Sequence, residues 1–273
     1  MKILVTGGRG LLARHVVEEM GGTALGREEL DITREDAVAR ALDGAEVVIN
    51  CAAYTNVDGA ESHLEEAFAT NVTGAANLAR AAKERGAIFM HLSTDFVFDG
   101  SKPSPYNETD RPNPQSAYAR SKYEGERAVL EIGGRASVVR VQGLYGEGGR
   151  NFSSKLRELI LARKPLKLDN QRRVQPTWAR SAARQLKRLV EAQAIGIFHV
   201  SCKGAATWAE FARHVAERLD VAPNWEEVPT AALAAPAARP PNCLFAHLAL
   251  AERGLDVMPD WRAALDEYLK EAR

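Results

Sequence analysis

Cysteine is scarce in this sequence, and there is no excess of charge of either sign. The 273 residues include three cysteines, Cys51, Cys202 and Cys243, which are widely separated and form no Cys-x-x-Cys pair. This pattern argues against a disulfide framework and predicts no metal site, so we expect three small, buried apolar side chains in a reducing compartment. The 36 basic side chains are balanced by 36 acidic ones, which provides no long-range field toward nucleic acid.

Long hydrophobic runs are missing as well. None reaches the roughly 20 residues that a membrane-spanning helix needs, and a short apolar segment follows Met1 and Lys2 directly, without the longer hydrophobic region of a signal peptide. We therefore expect a cytoplasmic protein that interacts with neither membranes nor nucleic acid.

Two hydrophobic periodicities alternate in the first half of the chain. Short β-branched runs predict strands, and the longer segments between them have helical spacing, which together form the βαβ pattern of a parallel sheet. The predicted strands are Ile3–Thr6, Val47–Asn50, Ile88–Leu92 and Val138–Val141, and the predicted helices are Leu12–Met20, Leu64–Arg85 and Tyr118–Leu130. The fold class is therefore α/β, a Rossmann-type doubly wound parallel sheet.

The pattern changes near Gly146. Residues 152–162 predict a helix, residues 169–177 a polar loop, and residues 231–241 are rich in alanine and proline. We predict a dinucleotide-binding core over residues 1–146 and a smaller, mainly substrate-binding lobe over residues 147–273, from which some segments return to the core.

A glycine-rich turn follows the first predicted strand. Gly7 allows a tight turn, Gly10 lets backbone N–H groups approach a pyrophosphate at the positive end of the next helix, and Ala13 lets that helix pack on the strand. Strand, turn and helix in this order predict that the chain binds NADP(H) or NAD(H).

The next two strands carry further cofactor candidates. The second strand, near Thr23–Leu25, ends in Gly26-Arg27 instead of the acidic residue that binds a ribose 2′-hydroxyl. Arg27 favours NADP, although an ordinary exposed loop arginine explains it equally well. The residues after the third strand, expected along the nicotinamide half, are Ala52, Ala53, Tyr54 and Thr55.

A tyrosine and a lysine four residues apart mark the candidate catalytic helix. Tyr118 and Lys122 lie on one helix face, and no other tyrosine in the chain has a lysine at this spacing. A close ammonium favours the phenolate, so we expect a lowered pKa for Tyr118, with Lys122 in reach of a cofactor ribose. Thr94, just after a predicted strand, would hydrogen-bond the reacting oxygen; an ordinary strand-end turn is the alternative.

With these residues in view, the sequence resembles the extended short-chain dehydrogenase/reductases and, within them, the dTDP-4-dehydrorhamnose reductase family. The likeness covers nearly the whole chain. It is carried by Gly7 to Ala13, residues 50–61, Ser93 to Gly100, Tyr118 with Lys122 and Gly125-Glu126, and residues 169–177, 196–200, 239–242 and 261–269.

The resemblance implies a reaction and the residues that perform it. Tyr118 would donate a proton to the 4-keto oxygen of a nucleotide-activated 6-deoxysugar, with Lys122 as its electrostatic partner and Thr94 as a tuning hydrogen bond. The reaction would convert dTDP-4-dehydro-L-rhamnose to dTDP-L-rhamnose, in an enzyme that pairs into homodimers. Thr94 and Asp95 would contact the sugar, and the cofactor would lie along Gly10, Leu11, Leu12, Asp31, Ile32 and Ala53 to Thr55.

One position departs from the family. Where relatives carry tryptophan in a pattern like Arg-Thr-Ser-Trp, this chain reads Arg140-Val141-Gln142-Gly143. An aromatic wall facing the sugar would be missing, which leaves the exact sugar open.

Three other functions compete. Dehydratases that resemble this chain carry an Asp-Glu pair after the threonine, whereas here Phe96 follows Asp95. Sugar-nucleotide 4-epimerases share the Tyr-Lys pair but return NAD(H) unchanged. A non-catalytic NADP-binding regulatory subunit, like that of methionine adenosyltransferase, is also similar, and the intact set of Thr94, Tyr118 and Lys122 argues against it.

The diphosphate of such a substrate needs cationic donors in the C-terminal lobe. Arg239, in a proline-flanked turn, is one candidate, and Arg172 and Arg173 are two others. The four tryptophans, by contrast, are predicted to pack in the core or lobe and not to stack on a base. They are Trp178, Trp208, Trp225 and Trp261.

Overall fold

The computed structural model describes residues 1–148, 151–233 and 236–271. Its strands are β1 (Ile3–Thr6), β2 (Thr23–Leu25), β3 (Val47–Asn50), β4 (Ile88–Thr94), β5 (Ala136–Val141), β6 (Leu144–Tyr145), β7 (Leu166–Asp169), β8 (Thr177–Trp178), β9 (Gly196–Val200) and β10 (Trp225–Val228). Its α-helices are α1 (Leu11–Met20), α2 (Glu35–Ala41), α3 (Leu64–Phe68), α4 (Ala75–Glu84), α5 (Ala117–Ile132), α6 (Phe152–Leu161), α7 (Ala179–Glu191), α8 (Trp208–Leu219), α9 (Leu248–Glu252) and α10 (Trp261–Glu271).

Six parallel strands form the central sheet, in the order β2-β1-β3-β4-β5-β9. β1 pairs with β2 on one side and with β3 on the other. The direction in which the chain adds strands therefore reverses at β1, and a crevice opens there at the carboxyl ends of the strands. Open α/β sheets bind their ligands at this kind of switch point.

Helices cover both faces of the central sheet. On one face α1 packs against α7, and Val16 joins the core cluster that also contains Ile3 and Val5 of β1. On the other face α2 packs on α4, and Leu78 joins a second cluster with Leu4 of β1. Alternate β1 side chains thus enter both cores, which explains why this strand is a continuous apolar run.

The predicted fold class is confirmed, and the strand predictions are close. β1, β2 and β3 have the predicted bounds, whereas β4 and β5 are longer than predicted. The single helix predicted over residues 64–85 is found as one unbroken helical run over residues 64–84, but a π-helical turn, Ala69–Gly74, lies within it and joins α3 to α4. A π turn inserts extra backbone into the helical repeat, and the apolar pattern does not mark where this happens.

The second half of the chain both joins and leaves the central sheet. β9 returns to it and pairs with β5, while β6 with β8 and β7 with β10 form two separate parallel pairs. The predicted helix over residues 152–162 is α6, and the predicted polar loop connects β7 with β8. Within the alanine- and proline-rich stretch, Ala234 and Ala235 lie outside the described residues. The lobe boundary at residue 146 stays a prediction.

Membrane insertion by a helix is not supported. Across the described ranges, every helix is too short or too polar to cross a bilayer.

Candidate active site

A cleft of about 550 Å³ lies at the carboxyl ends of β1 and β3. Gly7 has a φ of +68°, and a Cβ there would lie 2.7 Å from the amide nitrogen of Ala52, so the turn requires glycine. Gly10 is the N-cap of α1, whose first turn contains no acidic side chain and whose N-terminus carries no side-chain cap. The free N–H groups and the positive end of the helix dipole suit a pyrophosphate.

Most of the predicted cofactor residues line this cleft, whereas Leu11, Leu12, Tyr118 and Lys122 do not. Leu12 is 7% exposed and packs in the core, and Leu11 packs against the same cluster. Neither side chain reaches the cleft, because the start of α1 directs both into the sheet face; they remain candidates through their backbone N–H groups. The predicted residues that do line the cleft are Gly7, Gly10, Arg27, Asp31, Ile32, Ala52, Ala53, Tyr54 and Thr55.

The end of the cleft near β2 combines two arginines with two glutamates. Arg9 donates to both carboxylate oxygens of Glu28, at 3.0 and 2.6 Å, and Arg27 donates to Glu66 at 3.0 Å. All four side chains are exposed and line the cleft. The sequence does not identify Arg9 as a cofactor candidate. An arginine in a glycine-rich turn looks like any surface arginine until the structure places it beside β2.

Thr94 and Asp95 stand at the carboxyl end of β4. The hydroxyl of Thr94 accepts from the backbone N–H of Phe96 at 3.2 Å and donates to Oδ1 of Asp95 at 3.1 Å. Thr94 therefore caps a 3₁₀ turn, Asp95–Val97. The ordinary strand-end turn that was the alternative to a catalytic role for Thr94 is thus present, and it includes the candidate site residues Thr94 and Asp95. Burial raises the pKa of Asp95 to about 6, against the lowering influence of Gln142.

Tyr118 faces this strand end from α5. Its ring meets the ring of Phe96 edge-on, with centroids 6.1 Å apart. Burial raises the pKa of Tyr118 to about 12, while the Thr94 hydroxyl lowers it and nearby Asp95 raises it. The expectation of a lowered pKa is therefore wrong for the protein without cofactor, because desolvation outweighs any effect of an ammonium one turn away.

Lys122 is almost completely buried, at 3% exposed. Its Nζ donates to the backbone carbonyl of Leu92 on β4 at 2.7 Å. Burial lowers the pKa of Lys122 to about 8, while Glu126 and Cys51 raise it. Lys122 is close enough to Cys51, which lines the cofactor cleft, for the two groups to influence each other's pKa.

A second cavity of about 690 Å³ contains two of the three predicted phosphate-binding arginines. Arg239 donates to both carboxylate oxygens of Asp58, at 3.0 and 2.8 Å, and the guanidinium of Arg172 lies 5.7 Å from the ring centre of Phe96. Arg173 instead donates to Glu210 and to a backbone carbonyl at the surface, because it lies one residue along the loop and faces away.

All four tryptophans pack in the core or lobe, as predicted, and one of them also lines a cavity. Trp178 and Trp261 are each 1% exposed, and Trp225 packs partly buried against the same core cluster. Trp208 also packs against that cluster, but it lines the second cavity as well.

The position where relatives were expected to carry tryptophan is sterically closed here. Gly143 has a φ of +57°, and a Cβ would lie 2.9 Å from the carbonyl oxygen of Gln175. The preceding residue, Gln142, is buried and donates to Oδ2 of Asp95 at 2.9 Å and to the carbonyl of Cys243 at 2.7 Å. Gln142 thus holds Asp95 from the side opposite Thr94.

The model of a family described as "RmlD substrate binding domain" matches residues 1–273. The chain belongs to this family.

Relatives of this RmlD-family chain match it along nearly their whole length. A dTDP-4-dehydrorhamnose reductase from Burkholderia thailandensis is 37% identical, with 97% of both chains covered. A dTDP-4-keto-6-deoxy-D-glucose reductase from Streptomyces niveus is 36% identical, with 97% of this chain and 95% of its own covered. The crystal structure of dTDP-4-dehydrorhamnose reductase from Bacillus anthracis in complex with NADP is 32% identical, has a TM-score of 0.94 and covers 99% of this chain and 100% of that one. The resemblance drawn from the motifs is confirmed.

Sequence reasoning overlooks one polar residue that joins the two halves of the site in this RmlD-family chain. Asn71, in the π-helical turn, accepts from the backbone N–H of Tyr54 at 2.8 Å and donates to the hydroxyl of Ser121 at 2.8 Å. It therefore fastens the loop lining the cofactor cleft to the helix that carries Tyr118 and Lys122. Only the π turn marks Asn71 as unusual, and that turn is not legible in the sequence.

Metal and thiol chemistry find no support among the residues described. They contain no group of three metal-ligating side chains suited to an ion. The three cysteines are free thiols, with Cys202 and Cys243 buried and Cys51 partly buried. Burial raises the pKa of Cys51 and Cys202 to about 12, so both thiols are protonated and unreactive near neutral pH.

Proposed function

We propose that this chain reduces the 4-keto group of a nucleotide-activated 6-deoxysugar, converting dTDP-4-dehydro-L-rhamnose to dTDP-L-rhamnose with NADPH or NADH. The observation that carries the proposal is that α5 brings Tyr118 to the hydroxyl of Thr94 and Lys122 to the carbonyl of Leu92, so that both side chains lie against the carboxyl-terminal half of β4. Membership of the RmlD family, with relatives named as 4-keto-sugar reductases, supports the same reaction.

The residues of the first cleft fit a nicotinamide dinucleotide. Gly10 and the N-terminus of α1 suit the pyrophosphate, Arg9 and Arg27 suit the phosphate of NADP, and Ala52 and Ala53 leave room for the nicotinamide half. When bound, the reduced cofactor supplies the hydride that the sugar carbon accepts. The NADP bound to the Bacillus anthracis relative agrees with this choice.

Tyr118 is proposed to supply the proton that the sugar oxygen takes up as the ketone becomes an alcohol. A proton donor must be protonated before the reaction, and a pKa of about 12 keeps the phenol of Tyr118 in that form at neutral pH. The phenolate left behind is stabilised by the Thr94 hydroxyl and by the positive charge of Lys122. Thr94 and Asp95 are proposed to contact the sugar.

The second cavity is proposed to hold the nucleotide diphosphate. Arg172 and Arg239 bring two guanidinium groups into it. Each guanidinium can donate two parallel hydrogen bonds to the oxygens of one phosphate. Because Arg239 is bound to Asp58 in this structure, substrate binding requires it to share or exchange that partner.

The alternative functions are weakened by particular residues. Phe96 occupies the position after Asp95 where a dehydratase would need a carboxylate, and its ring packs against Tyr118 and below Arg172. An epimerase would regenerate its cofactor, so it would not consume NADPH in proportion to product. A regulatory NADP-binding subunit would show no turnover.

The test is stoichiometric oxidation of NADPH with dTDP-4-dehydro-L-rhamnose and a panel of related 4-keto sugars. Tyr118→Phe should lower kcat by about 100-fold or more and leave the NADPH dissociation constant unchanged, because the phenyl ring keeps the packing against Phe96. Full turnover by this variant would refute the proton-donor role. Product formation without net NADPH loss would favour the epimerase.

A further inference from the structure

A buried ion pair lies directly beneath the catalytic helix. On β5, Arg140 donates through Nε to Oε1 of Glu126 at 3.0 Å and through Nη2 to Oε2 at 2.7 Å. The two side chains are 2% and 1% exposed. Arg140 also contacts Nε2 of His199 at 3.3 Å, and its guanidinium lies 5.1 Å from the ring centre of Phe98. Burying two charges is costly, so this pair needs an explanation beyond packing.

The pair is aligned with Lys122. Glu126 follows Lys122 by four residues on α5, so both side chains emerge on the same helix face. Lys122 is itself buried, and its Nζ is held by the carbonyl of Leu92. A lone buried ammonium tends to lose its proton, whereas a buried carboxylate one turn away favours the charged form.

We propose that Glu126, fixed in place by Arg140, is a positioning residue that keeps Lys122 in its ammonium form. The consequence for catalysis rests on the function proposed above, in which the Lys122 charge stabilises the phenolate of Tyr118 and contacts the cofactor ribose. The ion pair with Arg140 fixes the Glu126 carboxylate one helical turn from the lysine and offsets part of the cost of burying it.

The other titratable groups facing Lys122 do not supply this negative charge. Cys51, on the loop after β3, is a protonated thiol, because burial raises its pKa to about 12. His91, on β4, is neutral, because burial and Lys122 hold its pKa well below its usual value. Among these neighbours Glu126 is the anion, and its influence raises the pKa of Lys122, which burial lowers to about 8.

Direct titration of Lys122 tests the proposal without any cofactor. In protein carrying ¹³C-labelled lysine, the Cε resonance of Lys122, assigned with Lys122→Arg, reports its protonation by NMR between pH 6 and 11. Glu126→Gln keeps the shape but removes the charge, and we expect the Lys122 midpoint to fall by about 1 pH unit or more. Glu126→Asp keeps the charge but not the shape, and should leave the midpoint within about 0.3 of the wild type. Equal midpoints in Glu126→Gln and the wild type would overturn the proposal.

Cofactor affinity provides a second readout. The pH above which NADPH binding weakens should move downward in Glu126→Gln and stay in place in Glu126→Asp, as followed by NADPH fluorescence. If Glu126→Gln does not fold, Glu126→Gln/Arg140→Met removes both charges together, and its Lys122 midpoint should still fall; an unchanged midpoint there would also refute the proposal. Failure of the wild type to bind NADPH would instead refute the proposed function, while the lysine titration would still stand.

Discussion

Replacing Asp95 by asparagine is expected to stabilise the folded protein above about pH 6. Asp95 is 7% exposed, and burial raises the pKa of its carboxyl from 3.8 to about 6. The folded state therefore holds this proton more tightly than the unfolded chain does, so ionised Asp95 costs folding free energy. At about 1.4 kcal/mol for each pKa unit, the cost is about 3 kcal/mol at pH 8 and close to zero at pH ~4.

Asparagine preserves the hydrogen bonds that hold Asp95. Its Oδ1 accepts from Gln142, as Oδ2 of Asp95 does at 2.9 Å, and its amide donates to the Thr94 hydroxyl, which can rotate to accept. We expect urea unfolding of Asp95→Asn and the wild type to give nearly equal free energies at pH 4, and a variant more stable by about 1.5 to 3 kcal/mol at pH 8. A difference that does not change with pH would show that the charge of Asp95 is not responsible.

Asp99 provides a matched control of opposite sign. Its carboxylate accepts from the backbone N–H and hydroxyl of Ser101, from Asn113 and from Tyr106, and these contacts hold its pKa well below 3.8. The resulting stability is present above about pH 4 and is lost as the pH falls further. Asp99→Asn should therefore be less stable than the wild type at pH 7, with a gap that closes in acid.

Three further predictions concern the cofactor and substrate sites. Arg239→Ala should raise the substrate KM about tenfold or more with little change in kcat, because a charge-assisted contact with the diphosphate is lost; an unaltered KM in initial-rate assays would contradict the assignment. Glu28→Gln should tighten the binding of NADPH but not of NADH, since Arg9 loses its partner carboxylate; equal NADPH dissociation constants for Glu28→Gln and the wild type in fluorescence titrations would argue against it. Asn71→Ala should lower the free energy of unfolding by about 2 kcal/mol and weaken NADPH binding, and a loss below about 0.5 kcal/mol would count against the fastening role.

The sequence predictions are accurate where a feature depends on residues that are close together in the chain. β1 and β3 have their predicted bounds because three consecutive apolar residues that follow a charged residue and end in a polar one suffice to define a buried parallel strand. The helix predicted over residues 64–85 is present, but its π-helical turn, Ala69–Gly74, was not predicted, because the change from α to π geometry leaves the apolar pattern intact. Leu12 is assigned to the cofactor site by its place in the motif, although its side chain belongs to the core.

The sequence alone determined the fold class, the family, the Gly7 and Gly10 turn, and the placement of Tyr118 and Lys122 on one helix face. Each of these depends on residues that are neighbours within one element or one turn. Only the tertiary structure decided that Arg239 binds Asp58, 181 residues away, and that Glu126 pairs with Arg140 beneath Lys122. The protonation of Tyr118, Lys122 and Asp95 was decided there too, because it depends on burial and on charges that distant segments bring to the same place.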